Sequence, residues 1–408
     1  FLSFVDDENQ DDKYFENFIN IIEKLQYQKN TAEFQSFLYL ISEVSKNHHR
    51  SSTFQMKMEK IISYFAGYIK QSFSKDELFK IFKKSPQILH LLLSNNIITV
   101  DDATINFFLN YKGTKFFLYK YQDEDGSNYY IKLREYMNKR RISYNYKYLF
   151  FNYIKNELKD EQRSEIENEL FEKNENIFEN FERKCRIGEN DSYISQLIRE
   201  DSIEEFVTYV TKNNIRLNSE INQSIFETNP LLIQKQATLI EYAAFFGSIQ
   251  IFQYLKLNQI QLRPSLWIYA IHGNNREIIH ILEENHIKPE DETYKMCLKE
   301  SIKCHHNDIA RYIQDNLMDE KIEVNERTFR NNPVLFGFHY YNYEFLFNST
   351  NLVFSLFYAC LYDHFPIVLL LIIIKKVDFN QTIIQNNIIL IKLQYAFYYV
   401  NILITFYL

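Results

Sequence analysis

Two short runs carry the side chains best suited to chemistry. Cys304-His305-His306 joins a thiol to two imidazoles, with Cys297 seven residues upstream, and His48-His49-Arg50 sets two imidazoles beside a guanidinium. Thiolate and neutral imidazole are donors that zinc favours, but zinc needs four ligands converging tetrahedrally, and adjacent residues on one turn rarely face one point. A structural role is therefore expected for Cys304 to His306. His48 to Arg50 follow a predicted helix end, where cationic side chains complement the helix dipole. No metal ligand is assigned from the sequence; a metal-dependent enzyme built on Cys304 to His306 is the reading that elemental analysis would test.

Other catalytic signatures are missing. The sequence contains no G-x-S-x-G elbow, no H-E-x-x-H and no C-x-x-C. Its seven glycines (67, 113, 126, 188, 247, 273 and 337) include no pair spaced for a dinucleotide or Walker-type phosphate loop. With 53 Asp and Glu, acidic pairs are too common for spacing alone to pick out an acid/base couple. No catalytic residue, cofactor or small-molecule substrate is expected, and the chain reads as a non-enzyme.

Charge points the same way. The 46 Lys and Arg against 53 Asp and Glu leave a net charge of −7, which disfavours nucleic acid as a partner because such binding rests on neutralising phosphates. Lys139-Arg140-Arg141, the densest basic run, reads as a solvated helix end. Cysteines 185, 297, 304 and 360 do not form a disulfide framework, and no signal-peptide core opens the sequence, so reduced thiols in the cytoplasm are expected.

The elements that must position these residues are helices. Few Gly and Pro argue against an all-β sandwich, while 31 Tyr and 36 Phe offer abundant core material. Phe15, Phe18, Ile19, Ile22 and Leu25 follow helical spacing, and Phe34, Phe37, Leu38, Ile41 and Val44 repeat it. Ser74-Lys75-Asp76-Glu77 has capping-box form, and Pro86 marks a fresh helix start after Ser85. Between 155 and 186 the composition turns to Glu, Asn and Lys, as in a charged helical linker. The run 365–374 is apolar but well short of the roughly 20 residues of a spanning helix, whereas 388–408 approaches that length with Lys392, Gln394 and Asn401 inside it.

An internal repeat organises the second half. Thr238, Ile240, Ala243, Gly247, Ile251 and Leu255 are matched by Ser265, Trp267, Ala270, Asn274, Ile278 and Leu282. Met296, Leu298, Ser301, His305, Ile309 and Ile313 form a third copy, and Phe354, Leu356, Ala359, Asp363, Ile367 and Leu371 a fourth. The offsets are 27, 31 and 58, the last being two units with one copy faded or replaced by a loop. A further degenerate unit fits 193–210 with a register ambiguous by one residue. Each copy predicts a short helix, a tight turn and a second helix, with a small residue allowing close packing on the neighbouring unit.

These motifs resemble the ankyrin repeat, T-P-L-H-x-A-A-x-x-G-H-x-x-I-V-x-x-L-L, through Thr238, Ile240, Ala243, Ala244, Gly247, Ile251 and Leu255. Leu239 and Glu241 replace the consensus Pro and His, and the later copies lack the Gly, so weakened hydrogen bonding between repeats is expected. More specifically, the chain is similar to a large protist-expanded family of ankyrin proteins carrying a degenerate-repeat domain of unknown function. The segments 47–50, 188–191, 226–229, 238–254, 264–267, 269–273, 283–286 and 300–310 carry that similarity. The implied architecture is all-α: a helical N-terminal domain (1–154), a charged helical linker (155–186), a degenerate ankyrin-repeat α-solenoid (187–380) and an apolar C-terminal tail (381–408) that is a diverged cap or a membrane anchor.

The resemblance implies a non-catalytic scaffold that holds protein partners on the concave surface made by the first helices and turn tips. Phe245 and Phe246 are the leading contact residues, since exposed aromatics supply most interface energy, with His272, Lys303, Leu361 and Tyr362 at equivalent places. Packing of the two Phe beneath the preceding helices is the competing expectation. The alternative function is a membrane-tethered ankyrin protein anchored by 381–408. Trp267, at the consensus Leu of the second unit, is expected in the core.

Overall fold

The computed structural model describes residues 1–6, 12–24, 30–49, 53–98, 183–184, 187–224, 226–318, 333–345, 352–362, 364, 367–368 and 370–374. Among them the regular elements are helices, and β-type pairing is limited to an isolated antiparallel bridge between Glu220 and Thr238. The all-α expectation holds at this level. No helix among the described residues is long and apolar enough to cross a membrane. Residues 381–408, most of the 155–186 linker and Lys139-Arg140-Arg141 lie outside the described residues.

Among the described residues the first helices are α1 (Leu2–Asp6), α2 (Asp12–Lys24), α3 (Thr31–Asn47), α4 (Phe54–Ser72), α5 (Lys75–Phe82) and α6 (Pro86–Ser94). The chemistry that starts and stops them is local. The Asn30 side chain accepts from the backbone N–H groups of Ala32 and Glu33 at the head of α3. Ser74 and Glu77 form the predicted capping box of α5, and Pro86 opens α6. The expected apolar faces are inside: Phe18, Ile19 and Ile22 on α2, and Phe34, Phe37, Leu38, Ile41 and Val44 on α3.

From residue 187 on, the described helices are α7 (Tyr193–Arg199), α8 (Ile203–Lys212), α9 (Pro230–Gln234), α10 (Leu239–Phe246), α11 (Ile249–Leu257), α12 (Leu266–His272), α13 (Arg276–Glu284), α14 (Lys295–Lys303), α15 (Asn307–Tyr312), α16 (Pro333–His339) and α17 (Leu352–Leu361). Glu241, the departure from the consensus His, closes a capping box of its own at the head of α10. Its carboxylate accepts from the Thr238 backbone N–H (2.9 Å) and hydroxyl (2.8 Å).

The chain forms two compact units that are discontinuous in sequence. One comprises Phe1–Asn9 and Arg50–Tyr242, the other Gln10–His49 and Ala243–Leu408. This differs from the expected order of 1–154 before 187–380, because long-range contacts outweigh chain proximity. In the first unit, Gln87 donates to the Ile187 carbonyl (3.2 Å), and buried Lys57 donates to the Phe4 carbonyl (2.7 Å) at the end of α1. The segments 188–191 and 226–229 knot together there: Thr228 donates to Gly188 O from its N–H (3.0 Å) and its hydroxyl (2.6 Å), and Glu227 accepts from the Asn190 N–H (3.3 Å). Arg199 completes the knot with Glu189 (2.7 Å) and the Tyr242 hydroxyl (3.1 Å). In the second unit, Tyr39 of α3 stacks on Tyr341, with ring centroids 5.2 Å apart.

The helix pairs share one backbone device. The turn between first and second helix holds a left-handed residue each time: Asp201 (φ 49°), Gly247 (φ 69°), Asn274 (φ 51°), His305 (φ 60°) and Tyr341 (φ 58°). The next N–H reaches back to a carbonyl of the first helix, Ser202 to Leu197, Ser248 to Ala243, His306 to Ser301, Asn342 to Gly337 and His364 to Ala359, over 2.8–3.0 Å. Within 193–210 the left-handed residue is Asp201, and within the 58-residue gap α16 leads into a turn of the same kind, with Gly337 four positions before Tyr341.

Candidate functional site

The site is built at the ends of the first helices in the second unit. Residues directly after the left-handed turn start the next helix and send a side chain back to the preceding pair. Asn275 donates to Gly247 O (2.9 Å), Asn342 to Ile302 O (2.9 Å), and the rings of His306 and His364 bond Ile271 O (2.7 Å) and Phe338 O (2.8 Å). A polar ladder therefore joins successive pairs. At four turns the following position, Asn275, His306, Asn342 or His364, supplies this bond, and such bonds contribute about 1 kcal/mol each, while Ser202 and Ser248 follow the other two.

Histidine protonation follows from burial. Burial lowers the His364 pKa to about 4, the Phe338 carbonyl opposing the shift. Its ring nitrogens are occupied by Phe338 O and the Tyr343 hydroxyl (3.1 Å). Burial also pulls His306 well below the ordinary histidine value, with His48 and His49 adding to the shift.

Beside this ladder lies an ion-paired cluster. Glu300 accepts from His272 Nε2 (2.8 Å) and Lys303 Nζ (2.7 Å). Burial alone would raise the Glu300 carboxyl, but Lys303 and His272 outweigh it and bring the pKa to about 2. The Cys304 sulfur is 3.5 Å from His272 Nδ1, and burial pushes that thiol well up, Glu300 reinforcing the effect. A thiol held protonated and a carboxylate already paired suit a structural role better than nucleophilic or metal chemistry.

The two histidine runs singled out in the sequence meet. His48, at the C-cap of α3, bonds the Cys304 carbonyl through Nδ1 (2.6 Å), and His49 Nδ1 lies 3.0 Å from His306 Nε2. The three rings sit 4.4–5.1 Å apart, centre to centre. His305 points elsewhere, taking the left-handed turn position, so the expectation that Cys304, His305 and His306 would not converge is met.

The six expected partner-contact residues fall into different environments. Phe245 and His272 are buried and stacked on one another at 5.0 Å, with Phe246 edge-on to Phe245. Neither Phe245 nor His272 is an exposed contact, because each fills the seam between α10, α12 and α14. Phe246, Lys303 and Tyr362 are partly exposed, Lys303 being tied to Glu300. Leu361 ends α17, and its side chain lies outside the described residues. Trp267 is fully buried, its indole N–H donating to Ile287 O (2.6 Å). Glu300, Asn275, Asn342 and His364 were missed by sequence reasoning; the recurrence of Asn or His directly after four of the turns was the signal available for the last three.

Comparison of the chain with protein-family models, with curated proteins and with solved structures finds no match.

Proposed function

We propose that this chain is a non-catalytic protein-interaction module, built as a degenerate ankyrin-type stack of helix pairs. The observation that carries the reading is the recurring turn with its polar ladder. It holds successive first helices in fixed relation, a rigid support on which a partner can be bound without ordering the surface first. The described titratable groups support it too, since His272, His306, His364, Cys304 and Glu300 make contacts that hold helices together.

The partner is a protein, met by two partly exposed aromatics: Phe246, backed by the buried Phe245–His272 stack, and Tyr362, backed by His339. Aromatic side chains with rigid backing are the kind that dominate interface energy. No nucleic acid or cofactor enters the proposal.

The test is affinity capture with the folded full-length chain, read by mass spectrometry, against a Phe246→Ala, Tyr362→Ala variant of equal thermal stability. Proteins held by the wild type and lost from the variant support the reading. An identical capture list from both chains removes this face from the proposal.

A further inference from the structure

We infer that His48, His49 and His306 form a binding site for one divalent late first-row metal ion, with zinc the natural occupant. The donor atoms of these three side chains all lie within 4.8 Å of one another. The closest pair, His49 Nδ1 and His306 Nε2, is 3.0 Å apart. Two nitrogens bound tetrahedrally to zinc at roughly 2.0–2.1 Å stand about 3.3 Å from each other. That pair needs to open by only a few tenths of an ångström, and the His48 ring, within 4.8 Å of both, closes on the ion as it binds.

The surroundings of the rings favour metal binding over a simple histidine cluster. His48 and His306 both direct Nδ1 at a backbone carbonyl, Cys304 O at 2.6 Å and Ile271 O at 2.7 Å. A carbonyl accepts only, so each Nδ1 carries the proton and each lone pair sits on Nε2. Metal-binding histidines use this arrangement: the outer carbonyl sets the tautomer, fixes the ring and raises its basicity. Buried His48 and His306 anchor the site, and half-buried His49 lies on its solvent side, where water would complete a four-coordinate sphere. Three imidazoles suit zinc, copper, nickel and cobalt and disfavour calcium and magnesium, which take oxygen ligands.

The neighbouring group of His272, Glu300 and Cys304 is also compact enough for a metal. It is set aside because Lys303 already neutralises its carboxylate and burial keeps its thiol protonated. The site at His48, His49 and His306 instead links α3 to the turn between α14 and α15, across 256 residues and more of sequence. Metal binding would clip α3 in place within the second unit.

The experiment uses the full chain, stripped with a chelator and titrated with Zn(II) by calorimetry and with Co(II) by visible absorption. The expected result is one ion per chain, four-coordinate Co(II) bands and a raised thermal midpoint. His49→Ala and His306→Asn should each weaken binding at least 100-fold. Asn stands at the equivalent position at 275 and 342, where it still donates to a carbonyl. His306→Asn thus removes a ligand while keeping the ladder, and if it fails to fold, His49→Ala decides. His280→Ala, at an exposed histidine paired with Glu283, should bind as the wild type does. No binding at micromolar metal overturns the proposal, as does undiminished binding by folded His49→Ala or an equal loss in His280→Ala.

Discussion

Replacing Gly273 with Ala tests how closely successive helix pairs approach. Gly273 has an ordinary φ of −69°, so backbone conformation is no obstacle. Space is the obstacle: a Cβ there would lie 2.1 Å from Ala244 O, 2.9 Å from Gly247 N and 3.2 Å from Gly247 Cα. A comfortable carbon–oxygen contact is about 3.3 Å or more, so the two turns must separate by about 1 Å. All three neighbours are backbone atoms, and the turn is further held by Gly247 at φ 69° and by the Asn275 bond to Gly247 O. No rotamer change relieves the contact. Overpacking costs about 1–3 kcal/mol, and reduced unfolded-state entropy returns up to about 1. A net loss of about 2 kcal/mol is expected.

Trp267 supplies the assay. It is the single tryptophan of the chain and lies fully buried in α12, the helix that ends at the mutated turn. Urea unfolding followed by its emission reports on this region directly. Gly67→Ala serves as the control, because nothing lies within 4 Å of a Cβ at that α4 position; it should gain about 0.5–1 kcal/mol. A Gly273→Ala chain within 0.5 kcal/mol of the wild type would refute the backbone-to-backbone approach.

Two more perturbations probe the ladder. Asn275 accepts from the N–H groups of Glu277 and Ile278 and donates to Gly247 O, so Asn275→Ala should cost about 2 kcal/mol in urea unfolding, whereas Asn275→Asp keeps the cap and should lose about half of that; an Asp variant as stable as the wild type would discount the ladder bond. His364 has a folded pKa of about 4 against about 6.5 unfolded, so the unfolded chain binds the extra proton between those values; stability is full above pH 6.5 and drops as pH falls towards 4, by about 2 kcal/mol at pH 5. His364→Asn should flatten the stability-versus-pH slope by about one proton in that window, and an unchanged slope would assign the acid sensitivity elsewhere.

Much of the local structure was legible because it depends on neighbours in sequence. The α3 apolar stripe, the Ser74–Glu77 capping box, Pro86 at the start of α6 and the small residues at 243, 270 and 301 each act within a few positions. Pairing at a distance was not legible. Segments 188–191 and 226–229 looked like separate motifs but satisfy each other's hydrogen bonds, and 47–50 meets 300–310 through His48, His49 and His306. No periodicity within one segment encodes its partner. The helix pair that α16 opens was faint for another reason: the turn needs only a left-handed residue whose following N–H bonds back to the first helix, and Tyr341 with Asn342 N–H to Gly337 O meets that need without consensus letters. Phe245 and His272, expected to be exposed, are buried instead, since an aromatic before a turn fills a seam as readily as it meets solvent.

The grouping of Gln10–His49 with Ala243–Leu408 also sets a timetable for synthesis. A ribosome adding about 5–20 residues per second needs about 10–40 s to pass from position 49 to position 243. Throughout that interval α3, with Phe34, Phe37, Leu38, Ile41 and Val44 on its apolar side, waits for the turn carrying Cys304 and His306 to be made. Nascent chains of this protein should therefore engage holding chaperones early and release them only after α14 and α15 emerge.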